Sequence, residues 1–400
     1  MREPVPLWLL CAWLGAVVSG CSAEPAERPA TPAVVATAVS APALVVEALP
    51  PAPPLLTVAN GEPLTNVRKL ALGYGVSCAL IEDGSVSCWG RNDHRQRAVT
   101  QLDSVAKAVT VPGLKDVEEI GVAFFSGCAR GPGGTVRCWG EGYGSAQQPF
   151  VVVPGLSGAT QISVSHYRLL ALRGDGAVWC WRPGGCNPAL STIAQQNQLL
   201  GDVRQVDDHW DHACALLADG TVKCWGAIGY DASGPGQASV RTSADPVPVK
   251  GLGGVVEVAL GSSHTCARVR DGSVLCWGLG WGGALGQPSL ASANTPVAVP
   301  GLREVVQLAS GGSHSCALLR NGTVACWGDD GTGPRADGRR TGPVAVPGLS
   351  HVKQIACGGE HSCALIDDGT VRCWGNNTHG ELGNGEMGSA SAAPVHVVKY

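Results

Sequence analysis

Apolar residues along most of this chain come in short alternating runs, each closed by Gly, Pro, Asp or Asn. Residues 295–329 show the pattern cleanly. Pro296–Leu302 reads as a strand ended by a Pro-Gly turn, and Val305–Ala309 as a second, closed by Gly311-Gly312. His314–Leu319 and Thr323–Gly328 read as a third and a fourth. Alternation over runs this short, rich in Val, Leu and Thr, favours strands. A solenoid with a helix in every repeat needs an amphipathic stretch of about ten residues or more, and none is visible.

The unit recurs. Its core is a clasp reading Cys-Ala-Leu, a turn ending in Asp-Gly, then Val-x-Cys-Trp-Gly. The tryptophan after the second cysteine occurs seven times, at Trp89, Trp139, Trp181, Trp225, Trp277, Trp327 and Trp374, with spacings of 42 to 52 residues. A period of that size marks a propeller or solenoid rather than seven separate domains. Four short antiparallel strands in each period make a propeller blade. The predicted fold is therefore all-β, a seven-bladed β-propeller of four-stranded antiparallel blades.

The clasp also predicts covalent staples. Cys78 and Cys88, Cys128 and Cys138, Cys214 and Cys224, Cys266 and Cys276, Cys316 and Cys326, and Cys363 and Cys373 share one spacing. A three-residue loop ending in Gly sets the two cysteines directly opposite each other. Gly holds that place in every unit: Gly84, Gly134, Gly176, Gly220, Gly272, Gly322 and Gly369. Opposed Cα atoms about 4.5 to 5.5 Å apart lie in disulfide range. The competing reading is a metal site, with a His two positions upstream as in His264-x-Cys266. Zinc clusters favour closer cysteine pairs, so disulfides are expected and no metal or cofactor is assigned. The third unit has Leu170 where the first cysteine belongs; its Cys180 has Cys186 nearby as a substitute partner. Cys357, beside Ile355 and Ala356, is left as a buried structural thiol.

Composition supports this outline. Charged residues are only 15% and Gly is 56 of 400, as expected for many short strands and tight turns. The net charge of −4 supplies no basic stripe for nucleic acid. The apolar run Val5–Val18 is too short to span a bilayer and ends in Val18-Ser19-Gly20-Cys21. Small residues before a Cys resemble the bacterial lipoprotein cleavage box. Residues 1–20 are thus expected to be a lipoprotein signal peptide, with Cys21 lipidated. Residues 21–54, rich in Ala and Pro, form a linker, and residues 55–400 the propeller. An export signal makes disulfides natural. The expected location is the cell envelope, on the outer membrane or cell surface, or outside the cell if the lipid box is not used.

The motif Gly-x-x-His-x-x-Ala-Leu, Asp-Gly-x-Val, Trp-Gly-x-Asn-x-x-Gly-x-Leu-Gly resembles the repeat of the regulator of chromosome condensation family. The last unit carries it most fully, in Gly358, His361, Ala364, Leu365, Asp368, Gly369, Val371, Trp374, Gly375, Asn377, Gly380, Leu382 and Gly383. The resemblance covers the chain from about Asn66 onward and implies a seven-bladed propeller. The first two units depart from it, with Val76 and Ser126 near the place of the His. The founding member's nucleotide-exchange and chromatin roles are not carried over. Secreted bacterial relatives that inhibit other proteins keep inhibition as an option.

The histidines 166, 212, 264, 314 and 361 read as one structural hydrogen-bond former per blade at a shared strand position. Pro394–Val398 repeats the first-strand motif and is expected to close the ring by pairing beside Asn66–Leu72. Function is expected in the variable loops after each Trp-Gly, where His94, Arg95, Arg97, Tyr143, Tyr230, Trp281, Arg335, Arg339 and Arg340 are contact-prone. The reading is a monomeric, non-enzymatic module that binds a protein or a glycan and meets the membrane only through its N-terminal lipid. The alternatives are an inhibitor of a secreted enzyme and a propeller hydrolase or lyase, for which no catalytic motif stands out.

Overall fold

The structure is a computed structural model that describes residues 61–99, 103–143, 149–166, 168–182, 195–232, 238–288, 290–332 and 340–400. The expected signal peptide, Cys21 and the linker lie outside the described residues.

Seven antiparallel sheets follow one another along the chain. Their inner strands are Val67–Leu72, Glu119–Val122, Ala159–Val164, Val203–His209, Val255–Leu260, Val305–Ser310 and Val352–Cys357. Each inner strand touches those of both neighbouring sheets, and the seventh touches the first. The fold is therefore a closed seven-bladed β-propeller, as the repeat predicts.

The phase of the blade differs from the sequence reading. The Pro-containing strand does not open a unit; it is the outer strand of the blade before it. Ser292–Ala298 pairs with Val274–Leu279 (Cys276 opposite Val297), and Ser391–His396 pairs with Val371–Gly375 (Cys373 opposite Val395). Proline explains the placement. It has no N–H to give to a ladder, so Pro296, Pro343 and Pro394 fit a sheet edge, where that donor would go unused.

Ring closure changes accordingly. Pro394–His396 does not pair beside Asn66–Leu72. Only Val398–Lys399 crosses to blade 1, at its outer edge, with Lys399 parallel to Ala108 and Val398 antiparallel to Pro63. Val397 and Val398 are fully buried there.

All six equally spaced cysteine pairs are disulfides, with Cα atoms 4.0 to 4.1 Å apart. The cysteines of each pair face each other in register, and the turn glycine has positive φ in every blade, 71° at Gly134 and 82° at Gly220. Each staple closes a short loop and contributes roughly 2 to 3 kcal/mol in the loop-entropy model. Cys180 is also disulfide-bonded; its expected partner, Cys186, lies outside the described residues.

Neighbouring blades are joined by recurring side-chain contacts, each hydrogen bond worth about 1 kcal/mol net. Gln161, Gln205, Gln307 and Gln354 on the inner strands each accept a backbone N–H from the next inner strand, at Val206, Val258, Ile355 and Leu70. The buried tryptophans Trp89, Trp139 and Trp327 donate from Nε1 to Glu381, Gln96 and Ala284 carbonyls of the preceding blade. His212, His264, His314 and His361 bond Thr265, Ser315, Ser362 and Ser77 of the following blade at 2.7 to 3.0 Å. These four histidines are structural hydrogen-bond formers, as expected.

His166 is not one of them. It lies in the turn after the inner strand, two residues too early. Arg168 holds the histidine position in blade 3, and its Nε and Nη2 reach Asp208 of blade 4 at 2.8 and 2.6 Å. The register slipped in the reading because the third unit lacks its first cysteine, the mark from which the position is counted.

Candidate functional site

The turn that leaves each inner strand opens on one end of the central channel. Counting four residues back from the first cysteine of each clasp, or from Leu170 in blade 3, gives one turn position per blade. It is occupied in order by Tyr74, Phe124, His166, Trp210, Ser262, Gly312 and Gly359. Four aromatic rings in succession face three small residues.

The two halves are held together differently. In blades 5 to 7 the turns bond backbone to backbone. Ser262 N donates to the Gly311 and Gly312 carbonyls, Gly312 N to those of Gly358 and Gly359, and Gly359 N to that of Gly73. Such close approach leaves no space for a side chain at Gly312 or Gly359: a Cβ on Gly312 would stand 2.4 Å from the Gly359 oxygen, and one on Gly359 2.3 Å from the Tyr74 ring. In blades 1 to 4 rings take over. Tyr74 lies 4.9 Å from Phe124, Phe124 5.3 Å from His166, and His166 3.9 Å from Trp210, centroid to centroid. Phe125 extends the crescent, and the His94 ring meets it edge-on at 4.6 Å.

This asymmetry leaves a depression of about 580 Å3 over blades 5 to 7, walled by Tyr74, Phe124, Trp210 and Trp281. It falls within the usual size range of ligand pockets, about 300 to 1,000 Å3. Trp210 and Trp281 stay 45% and 66% exposed. Trp210 holds φ at 49°, a left-handed backbone that costs a side-chain-bearing residue about 1 to 2 kcal/mol. Asp329 and Glu360 border the depression. Glu360 is oriented by the Asn376 amide at 2.7 Å and by the Tyr74 hydroxyl; burial and that carboxylate together raise the Tyr74 pKa. Beneath the mouth, burial pushes the Asp207 carboxyl in the channel wall up to about 6, although Leu260 N, Asp208 N and Ser163 Oγ all donate to it. Burial lowers His166 to about 4 and His209 to about 3, so both rings are neutral at physiological pH.

His94 and Trp281 are the sequence candidates that the structure brings to this mouth. Arg95 is exposed in the same loop as His94. Arg97 is buried and donates to the Asp103 carbonyl, and Tyr143 is buried against Trp181 at 5.2 Å, so neither presents a binding group at the surface. Tyr230 lies in the long strand Val222–Ala232 and Arg340 opens Arg340–Ala345; their side chains, like Arg335 and Arg339 altogether, fall outside the described residues. Tyr74, Phe124, Phe125 and Trp210 were missed. Their signal was the clasp itself, which aligns the turns once the units are stacked on their cysteines. Metal chemistry finds no support in the one described cluster of suitable groups, His314, Cys316 and Cys357, because Cys316 is bonded to Cys326. Cys357 is a free thiol set in the channel wall, its pKa pushed up to about 12 by burial, in keeping with a structural role.

Two models of the regulator of chromosome condensation (RCC1) repeat match the chain. One covers residues 67–96, 210–229, 255–282, 305–333 and 352–381, the other residues 271–318 and 321–365. Blades 2 and 3 fall outside these ranges. No curated protein matches. Among solved structures, Prp20p of Saccharomyces cerevisiae, described with its binding to Gsp1p and histones, is similar at a TM-score of 0.61 and 19% identity over 74% of this chain and 81% of its own. The yeast RCC1 (Prp20) bound to Kap60 gives 0.63 and 21% over 74% and 79%. Human WBSCR16 gives 0.50 and 21% over 84% and 83%. At these identities the likeness establishes the propeller fold.

Proposed function

We propose that this chain, a protein of the regulator of chromosome condensation (RCC1) repeat family, is a non-enzymatic binding module that takes a partner protein at the aromatic mouth of its channel. The observation that carries this reading is the asymmetry at one turn position. Blades 5 to 7 build the turn from Ser and Gly with every backbone contact made, so the ring itself does not require aromatic residues there. Exposed Trp beside Tyr and Phe is the composition of a protein-recognition surface. The yeast propeller of similar fold is described as binding Gsp1p and histones, which favours protein over glycan as the partner class.

The module works in an oxidising compartment in this reading. Six hairpin disulfides favour export, and the lipid box at Cys21 would tether it to the cell envelope.

The test is affinity capture from a native envelope extract with wild type, a Trp210→Ser/Trp281→Ser double variant, and Arg320→Ala on the opposite face. The captured species should be lost with the double variant and kept with Arg320→Ala. Retention by the double variant would refute the mouth as the binding surface.

A further inference from the structure

We propose that the mouth pocket receives the cationic head of a lysine or arginine side chain displayed by the partner. This rests on the mouth being the binding surface and adds the chemistry that it recognises.

Two features select a cation. The wall offers the rings of Tyr74, Phe124, Trp210 and Trp281, and an ammonium or guanidinium within about 6 Å of the face of such a ring is attracted by its quadrupole, most strongly for Trp. The rim offers two acidic side chains, Asp329 and Glu360, and among the described residues no Lys or Arg lines the pocket to neutralise them. Its one histidine, His264, stays uncharged, since burial lowers it to about 3, and its Nε2 is committed to Ser315 at 2.8 Å.

Both acids are already aimed. Glu360 takes the Asn376 amide on Oε2, and Asp329 takes the Gly331 N–H on Oδ1 at 3.1 Å. Glu360 also takes the Tyr74 hydroxyl, and each carboxylate, with about four lone-pair sites, keeps acceptor capacity for a ligand. The protein also uses this pairing internally. The Arg91 guanidinium sits 4.9 Å over the Phe124 ring while its Nε donates to Asp93 at 2.8 Å. That intramolecular cation occupies one end of the crescent; the Trp210 and Trp281 end has the same ingredients and no cation of its own among the described residues.

A long, flexible side chain suits the shape. Its methylene stem would lie along the tryptophan faces and its charged head would reach the carboxylates. A neutral sugar would use the rings and leave both carboxylates without a countercharge.

The experiment uses the folded protein and end-blocked peptides with a central Lys, Arg, Gln or Glu between glycines, with a neutral oligosaccharide in parallel. Binding is read from tryptophan fluorescence and from saturation-transfer NMR. Lys and Arg peptides should bind saturably, on the order of tenfold more tightly than the Gln peptide, and should weaken with salt. Asp329→Asn with Glu360→Gln retains the acceptor oxygens that fix the turns and should erase the preference, so that Lys and Arg peptides bind the variant no more tightly than the Gln peptide does. Equal binding of Gln or Glu peptides, tighter binding of the oligosaccharide, an intact preference in the amide variant, or no saturable signal from a cationic peptide would each overturn the assignment. If a native partner is still captured through Trp210 and Trp281, only the cationic assignment falls; if capture is also insensitive to them, the binding reading falls too.

Discussion

Acid should open this ring at its histidine joints. His264 and His361 are 2% and 1% exposed, and burial lowers each to about 3. An unfolded histidine titrates near 6.5. The folded state therefore resists a proton that the unfolded chain takes up, and the stability this represents is whole above about pH 6.5 and lost as pH falls toward 3. By linkage, each ring costs about 2 kcal/mol at pH 5 and about 1.4 kcal/mol per further pH unit. Two rings cost roughly 4 kcal/mol at pH 5, a large share of a typical net stability of about 5 to 15 kcal/mol.

The geometry says why His361 holds no extra proton. Ser77 Oγ gives its hydrogen to the Glu381 carbonyl at 3.0 Å, so at 2.7 Å it must accept from His361 Nε2–H. Nδ1 is then the unprotonated nitrogen, and it packs against Gly358, where an added Cβ would stand only 2.8 Å away. Asp207, raised to about 6, works in the opposite direction, since a buried carboxyl gains from protonation as pH falls. The informative quantity is therefore a difference between proteins rather than one acid curve. His361→Gln keeps a donor for Ser77 and removes the titration. Urea unfolding from pH 7.5 to 4.5 should find the variant about 1 to 2 kcal/mol less stable at neutral pH. Its pH profile should be shallower by about 1.4 kcal/mol per unit below pH 6, so that the two curves converge near pH 5. Parallel curves would refute the reasoning.

Two further outcomes follow from the joints between blades. Arg168→Ala leaves Asp208, whose side chain is fully buried, without either guanidinium hydrogen bond; the urea midpoint should fall by an equivalent of about 3 to 5 kcal/mol, and a loss below about 1 kcal/mol would contradict a buried, paired charge. Deleting Val397–Tyr400 removes two buried valines and the strap onto blade 1; at about 1.5 to 3 kcal/mol per side chain the melting temperature should drop by several degrees, and an unchanged melt would show that the strap carries no load.

Much of the architecture is legible in the residues because its causes are local. Strand alternation, a loop of fixed length and a glycine at its end set the hairpin, and the hairpin sets the disulfide. The repeat period then sets the blade. The inner-strand glutamines belong to the same class and were overlooked, although Val-x-Gln recurs at Gln205, Gln307 and Gln354, with Ala159-Thr160-Gln161 as its variant in blade 3. The errors came where a local mark was missing or shared. Without its first cysteine, blade 3 offered His166 in place of Arg168. The Pro-Val strand between two clasps could belong to either, and only its pairing with Cys276 or Cys373 assigns it to the blade before.

Sequence alone determined the toroid of stapled hairpins, because every step from residue to blade is made within about 50 residues, where chain geometry leaves little choice. It did not determine the mouth. Tyr74, Phe124, His166 and Trp210 are spread over 137 positions of chain and become neighbours only when seven blades close around one axis. The same closure sets Gly312 and Gly359 opposite them as the floor of a pocket. Which side chains share a surface is decided by the angular placement of the blades, and that quantity exists only in the closed ring.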